Sequence, residues 1–208
     1  MKKLAVRLLV AVVTLSLGIG LAVYLKRRAH QKRCSGSSYF AAPLFAEGND
    51  RKSEFLRRYL AAQQEPGFSC LDEKIEAYRV LYLPAFDYAT SVRIWRDGDQ
   101  YLMTIKQLED EWTPLDHADK PARIRLNTTR PLTALEWTHF KEQLVTANFW
   151  SMPLADPNTI GLDGVSCTLE GKRGGRYHVV FRWGDEPGFM DACRFLLQLA
   201  KVERKHPR

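Results

Sequence analysis

The hydrophobic pattern of the chain begins with an uninterrupted apolar run from Leu8 to Leu25, 18 residues without a charge. As a helix rising about 1.5 Å per residue, this run would span roughly 27 Å, close to the thickness of the hydrocarbon core of a bilayer. Arg7 and Tyr24 lie near its ends and are residue types that favour the membrane interface. The pattern predicts a transmembrane helix, so that residues 1–33 form a membrane anchor with basic flanks.

A cleaved signal peptide is the alternative, because two lysines and an arginine precede the apolar run. The run is longer than the roughly 7–15 apolar residues of such peptides, and it continues directly into basic residues 26–28. We therefore expect an uncleaved anchor. Its orientation stays open. The larger number of Lys and Arg after the run favours a cytoplasmic domain, whereas the short, positively charged tail before it is poor cargo for translocation.

After the anchor, the pattern changes from one apolar block to short periodic segments. Residues 34–49 combine Ser, Gly and Pro with aromatic residues and are typical of a linker. Apolar residues then recur at helical spacing from Arg51 to Gln64. The strand-like segments that follow are Ala77–Leu83, Ser91–Gln107 and Ala122–Leu126. The middle segment contains Asp97-Gly98, which predicts a hairpin that pairs Ile94 with Tyr101.

The second half of the pattern adds two helices and another hairpin. Thr133-Ala134-Leu135-Glu136 has the form of a capping box and opens a helix that reaches about Asn148. Two strands, Val165–Glu170 and Arg176–Trp183, are joined by a five-residue loop rich in glycine. The last periodic segment predicts a helix from about Gly188 to Arg204.

This order of elements predicts an α+β fold with a single domain over residues 50–208. Hairpins join neighbouring strands in opposite directions, so the two hairpins predict an antiparallel sheet. We expect helices to cover one face of that sheet.

Charge divides the chain at the same place as the hydrophobic pattern. The 208 residues carry a formal net charge of +7, with a pI near 9.3. Eight of the 31 Lys and Arg residues lie within residues 1–33, where there is no Asp or Glu, and the rest of the chain has 23 bases against 24 acids. The basicity therefore belongs to the anchor, and the near-neutral domain argues against binding to nucleic acid.

No residues in the sequence have the spacing of the metal or cofactor motifs considered next. The five histidines are scattered, and the sequence contains no HExxH, C-x-x-C, P-loop, dinucleotide-binding or G-x-S-x-G motif. The sequence therefore predicts no metal and no cofactor.

The densest polar cluster is expected on the second hairpin. Pairing across the five-residue loop would place Glu170 opposite Arg176 and Thr168 opposite His178, with Arg182 on the same face. A carboxylate, an imidazole and a guanidinium could bind an anion or perform acid–base chemistry, which makes Glu170, His178 and Arg182 candidate catalytic residues. The alternative, which we favour, is an exposed face whose ion pairs each contribute less than ~1 kcal/mol. No nucleophile or second base is placed beside His178.

The four cysteines are too few to form a disulfide framework. Cys167 and Cys193 both lie on sides of their predicted elements that face the core. They would meet as a disulfide in an oxidising compartment, or stay as buried thiols that act as small hydrophobes.

Residues 161–183, GLDGVSCTLEGKRGGRYHVVFRW, resemble a group of small bacterial envelope proteins. In that group D-G-x-x-W-x-x-E-G precedes a strand that begins with Tyr-His or Tyr-Arg. The matching positions here are Asp163, Gly164, Glu170, Gly171, Tyr177 and His178, with Cys167 where those proteins have Trp. The resemblance covers about 30 residues. It implies a bacterial envelope location but no activity and no catalytic residue.

These patterns together predict a single-pass protein of the bacterial inner membrane with a periplasmic α+β domain. We expect the domain to bind or scaffold a protein partner in the envelope and not to catalyse a reaction. The alternative is a membrane-anchored hydrolase that uses Glu170, His178 and Arg182. A cytoplasmic orientation of the domain also stays open.

Overall fold

The computed structural model describes residue 40 and residues 50–68, 71–109, 122–155 and 164–202. Within these ranges the α+β order predicted from the sequence is confirmed. The helices are α1 (Asp50–Ala62), α2 (Ala134–Thr146) and α3 (Phe189–Leu199). The strands are β1 (Glu76–Pro84), β2 (Thr90–Asp97), β3 (Gln100–Leu108), β4 (Ile124–Leu132), β5 (Val165–Arg173) and β6 (Arg176–Trp183).

The predicted anchor, and the linker apart from Phe40, lie outside the described residues. No helix in the described ranges has both the length and the hydrophobicity needed to cross a membrane. A transmembrane helix over Leu8–Leu25 is therefore still a prediction.

The six strands form one antiparallel sheet in the order β4-β3-β2-β1-β5-β6. Strands β1 to β4 form a meander, and the β5–β6 hairpin pairs with the other side of β1, where Val80 lies opposite Leu169. The predicted antiparallel sheet with two hairpins is confirmed. Strand β4 continues past its predicted end at Leu126, because β3 pairs with it as far as Leu132.

One face of the sheet, here called the helix-pair face, is covered by α2 and α3. Its core includes Trp137, Phe140 and Leu144 of α2 and Leu196 of α3. The sheet residues that pack against these helices are Tyr78, Val80, Val92, Ile94, Met103, Ile105, Leu132, Cys167, Leu169 and Val180. A disulfide joins Cys167 of β5 to Cys193 of α3 within this core. The helix-pair face is therefore an apolar core that also contains a covalent cross-link.

The opposite face, here called the α1 face, is also covered by a helix. Leu56, Tyr59 and Leu60 of α1 pack with Phe40 and with Leu81, Val179 and Phe181 of the sheet. The expectation that helices cover one face only is therefore wrong. The physical reason lies in β1, where every side chain from Ala77 to Leu81 is buried. Side chains alternate between the faces of a strand, so such a run needs a helical layer on both sides.

Both hairpins turn later in the sequence than predicted. The first turns at Gly98-Asp99, so that Ile94 pairs with Met103, a shift of two residues. The second turns at Gly174-Gly175, where φ is 54° and 75°, and Arg173 pairs directly with Arg176. Two consecutive residues with positive φ are what a tight hairpin turn requires, and glycine adopts them without strain.

The second shift is three residues, which changes the side-chain neighbours across the hairpin. Glu170 lies opposite Val179 and not opposite Arg176. Because side chains alternate with period two, a shift of an odd number moves a residue to the other face relative to its expected partners.

Candidate functional site

The three predicted site residues do not share a face of the sheet. Glu170 points to the α1 face, whereas His178 and Arg182 point to the helix-pair face. The sheet itself separates the carboxylate from the imidazole and the guanidinium. The acid–base cluster predicted from the sequence is therefore not formed.

Glu170 instead belongs to a buried ion pair with Arg79 of β1. Arg79 is fully buried and Glu170 is 1% exposed. The Nε and Nη2 atoms of Arg79 both donate to Oε2 of Glu170, with Nε at 2.7 Å. The other carboxylate oxygen accepts a hydrogen bond of 2.9 Å from the hydroxyl of Tyr177. All the strong donors around this carboxylate come from inside the fold, so it is held in place as a structural group.

A second buried carboxylate, Glu65, binds cations from three neighbouring strands. It lies just after α1 and is 4% exposed. Arg93 of β2 donates its Nε to Glu65 at 2.9 Å, and Nζ of Lys106 of β3 lies 3.0 Å from Oε1. Nη1 of Arg79 lies 3.6 Å from the same carboxylate. One side chain thus connects the end of α1 to β1, β2 and β3.

Backbone carbonyls of the segment after α1 complete what we call the buried charge network. The network consists of Glu65, Arg79, Arg93, Lys106, Glu170 and Lys172. Arg79 donates to the carbonyl of Pro66 at 2.7 Å and Lys106 to that of Gln64 at 2.8 Å. Lys172 donates to the carbonyls of Phe68, at 3.2 Å, and Leu71. The covering segment is therefore held to the sheet by charge-assisted hydrogen bonds.

The two buried carboxylates differ in protonation behaviour. Burial alone would raise the pKa of Glu65, but Arg93, Arg79 and Lys106 outweigh it and hold that pKa below its ordinary value. Burial raises the pKa of Glu170, and Arg79 and Tyr177 offset this only in part. Although burial disfavours its charge, Arg79 keeps a raised pKa because Glu170 and Glu65 stabilise its positive form. Both carboxylates are held by cations, but only around Glu65 do those cations outweigh the effect of burial on the pKa.

The hairpin positions that carry the resemblance to envelope proteins also have structural roles. The ring of His178 lies 5.1 Å from that of Phe149, in the 3-10 turn that follows α2. Opposite His178, a Cβ atom on Gly171 would lie 2.8 Å from the Phe149 ring and 3.0 Å from that of Tyr78. Glycine is required because those rings pack directly on the backbone.

The environment of His178 makes it a poor acid–base group. Burial lowers the pKa of His178, although the backbones of Met152 and Phe149 bond the ring and oppose the shift. Its Nε2 atom is buried and has no hydrogen-bond partner among the described residues. A half-buried imidazole whose neutral form is favoured in this way packs like an aromatic ring.

Arg182 is held on the helix-pair face by local contacts. Its Nη1 atom donates to the carbonyls of Pro153 at 3.1 Å and Phe181 at 2.8 Å, and its Nε donates to Glu186. The guanidinium is 5.8 Å from the centre of the Phe189 ring. Arg182 therefore fastens the segment after the 3-10 turn to β6 and the start of α3.

The two edges of the sheet differ in how far they are covered. Along β6, the amide of Phe181 donates to the carbonyl of Leu154 at 2.7 Å, and Ala155 bridges to Phe181. Along β4, no strand pairs with the outer side within the described part of the chain. Of the strands that the structure describes, β4 is therefore the one with an uncovered outer edge.

A groove of about 560 Å³ borders the open edge on the helix-pair face. Its apolar lining comes from Ile105 of β3 and from Phe195 and Leu199 of α3. Arg130 of β4 crosses it, donating from Nη2 to the carbonyl of Leu199 at 2.9 Å and to Glu136 at 3.2 Å. Lys201 lies at its exposed end. An apolar floor with basic residues beside an open strand is a geometry suited to binding an extended peptide.

Other kinds of site find less support in the described residues. These residues contain no group of three His, Cys, Asp or Glu side chains placed to hold a metal ion. Comparison of the sequence with known protein families and with curated proteins gave no match. The function therefore has to be argued from the geometry of this chain.

The residues that sequence reasoning missed are Arg79, which pairs with Glu170, and Glu65, the second carboxylate that contacts Arg79. Arg79 lies in the middle of the apolar segment AYRVLYL, and Glu65 lies just before Pro66-Gly67, where it reads as part of a loop. A single arginine within a fully buried strand is itself a signal, because a buried charge needs a buried partner. Nothing in the local sequence identifies Glu65 as one of its partners.

Proposed function

We propose that the chain is a single-pass protein of the bacterial inner membrane whose periplasmic α+β domain binds a protein partner in the envelope. One observation carries the proposal. The groups best suited to chemistry, Glu170, Arg79 and His178, are bound or enclosed inside the fold. Among the described residues, one surface left open is a strand edge beside a groove with an apolar floor, which offers a place to bind.

Two further observations support the location. The uncharged run from Leu8 to Leu25 is long enough for one membrane crossing. The disulfide between Cys167 and Cys193 favours an oxidising compartment such as the periplasm, since disulfides seldom persist in the cytosol. The resemblance of residues 161–183 to bacterial envelope proteins agrees with the same location.

The membrane part of the proposal is tested by fusions to the C-terminus of the full chain in a bacterial host. We expect an alkaline phosphatase fusion to be active and a green fluorescent protein fusion to be dark. The matched control replaces Leu8–Leu25 by a polar linker of the same length, which should release the protein from the membrane fraction. A bright fluorescent fusion with an inactive phosphatase fusion would place the domain in the cytoplasm and refute the periplasmic location.

The binding part is tested in intact membranes with a photo-crosslinking amino acid at three exposed positions. We choose Phe86 between β1 and β2, Val145 on α2 and Thr128 on β4, of which Phe86 and Val145 are 74% and 79% exposed. A discrete adduct from at least one position supports a binding module. If no position gives an adduct and the purified chain turns over a substrate, the proposal is wrong.

A further inference from the structure

We propose that the outer edge of β4 and the adjoining groove form a docking site for an extended, acidic segment of a partner protein. This inference rests on the proposed binding function and names the surface and the chemistry of the ligand. Three features carry it: the hydrogen-bonding capacity of the edge, the apolar groove beside it, and the sign of the local charge.

The β4 edge has backbone groups that no described strand pairs with. Pro131 pairs with Leu102 of β3, and proline has no N–H to give to a ladder. Proline is tolerated in an edge strand where its nitrogen faces outward. Because the direction of the backbone groups alternates along an antiparallel strand, Asn127 and Thr129 then present their N–H and C=O groups outward. An added strand could pair with those groups.

The groove gives such a strand a place for its apolar side chains. Alternate side chains of an added strand would point to the helix-pair face. On that side they would meet Ile105, Phe195 and Leu199, the last two of which are only partly buried. Backbone pairing provides affinity in this mode of recognition, and pockets for alternate side chains provide specificity.

Charge selects the class of partner. Residues 122–132 contain three arginines, at positions 123, 125 and 130, and no acid. Lys201 adds a fourth cation at the end of the groove. The single acid in the groove lining, Glu136, pairs with Arg130, so these two charges cancel and Arg123, Arg125 and Lys201 remain in excess. An acidic segment therefore complements this surface. A second copy of β4 would bring arginines against arginines, which argues against pairing between two copies of the chain.

A defined peptide tests the proposal on the full chain in detergent. The probe is a fluorescein-labelled peptide of nine residues, the length of β4, in which Asp or Glu alternates with Val or Leu. We expect saturable binding by fluorescence anisotropy, with a Kd of about 10–100 µM that weakens as salt is added. A peptide with Lys in place of the acids should not bind. A scrambled peptide with contiguous apolar residues should bind at least about tenfold more weakly.

Variants then locate the binding. Asn127→Pro removes one outward N–H and should weaken the probe about tenfold. The double change Arg123→Glu and Lys201→Glu reverses two exposed charges and should also weaken it about tenfold. Lys74→Glu, at an exposed position in the loop before β1, is the matched control and should leave binding unchanged. If Asn127→Pro lowers the melting temperature, the double charge reversal still tests the location of binding. Both of its positions are exposed, so it should leave the fold intact.

The proposal is overturned if the acidic peptide shows no saturable binding below about 1 mM, or binds the Asn127→Pro and charge-reversed chains as well as the wild type. Equal binding of the basic peptide, or dimer formation that the Asn127→Pro change abolishes, would overturn it too. Crosslinks in membranes separate the two proposals. Adducts from Phe86 or Val145 but not from Thr128 would leave the binding function standing and refute this surface. An adduct from Thr128 that maps to an acidic segment and disappears with Asn127→Pro supports it.

Discussion

The two faces of the sheet are held together in different ways. The helix-pair face joins apolar side chains from all six strands to α2 and α3, with one disulfide across the layer. The α1 face has a smaller apolar cluster and, beside it, the buried charge network. Apolar packing is non-directional and changes gradually with volume. A network of buried charges depends on each partner, since a lost partner leaves an uncompensated charge.

This difference shows that two equally buried side chains can differ in how well the fold tolerates their substitution. Arg79 and Ile94 are both fully buried in neighbouring strands. Shortening Ile94 would leave a cavity, whereas neutralising Arg79 would leave Glu170 without its cation and Glu65 with only Arg93 and Lys106. The helix-pair face should therefore respond to side-chain volume and the α1 face to charge. The predictions below test that contrast in order of decreasing effect.

The largest effect is expected from Arg79→Met. The change removes the main partner of Glu170 and one of the partners of Glu65, and it should lower the free energy of unfolding by about 3–5 kcal/mol. The measurement is urea unfolding of the full chain in detergent, followed by tryptophan fluorescence. The matched control is Arg79→Met combined with Glu170→Met, which should recover at least half of the loss. If the double variant is less stable than the single one, the ion pair is not what the α1 face depends on.

The next effect is the loss of the disulfide on the helix-pair face. Cys167→Ala with Cys193→Ala opens a cross-link between residues 26 positions apart, which should cost about 3 kcal/mol. Reduction of the wild-type chain with a thiol should give a similar loss, and the variant should not respond to the thiol. Labelling of free thiols in the unfolded, unreduced wild type checks that Cys167 and Cys193 are cross-linked. Labelling at both positions would contradict the cross-link.

A smaller effect is expected from Gly171→Ala. The new methyl group would press on Phe149 and Tyr78, and overpacking of this kind costs about 1–3 kcal/mol. Adding Phe149→Leu should relieve part of the strain, so the double variant should lose less than the sum of the two single changes. If the two losses in the free energy of unfolding simply add, the close approach of the Phe149 ring to the Gly171 backbone does not limit stability.

The last prediction is a dependence of stability on pH, which is expected for Glu65 and not for the apolar helix-pair face. Its lowered pKa means that ionised Glu65 adds stability above the ordinary glutamate value of about 4.3. That stability is lost as the pH falls through this value toward the lowered pKa of the folded state. The wild type should therefore exceed Glu65→Gln in stability most at pH 7, by about 1–3 kcal/mol, and the gap should narrow below pH ~4.3. An equally narrow gap at every pH would contradict the role of Glu65.

The sequence was sufficient for the order of elements, because that order follows from local patterns. The capping box at Thr133 begins α2 as predicted, and its side chain accepts from the backbone of Glu136. The covering of the second face was not predicted, although AYRVLYL has apolar residues at both its odd and its even positions, so that both faces of this strand need cover. The partners of Arg79 were missed because they are distant in sequence, 14 residues away at Glu65 and 91 at Glu170.

The candidate site failed for a reason of register. In the first hairpin the strand pairing is displaced by two residues from the predicted pairing, so Ile94 stays on the face expected for it. In the second, reading Gly171 to Gly175 as a loop displaced the pairing by three residues. That odd displacement placed Glu170 with His178 and Arg182 when the sheet divides them. Two adjacent glycines already predict a two-residue turn, and giving them that weight would have placed Glu170 correctly.

The position of Glu65 also determines how the domain would bear mechanical load. A pull from the N-terminal side reaches the sheet through α1, which contacts the sheet by apolar packing and through Glu65, a carboxylate bound to β1, β2 and β3. Those strands lie in the middle of the sheet, so the force is shared across them and does not peel a single strand from the rim. A tether attached at this end would therefore load the domain where it is best able to resist.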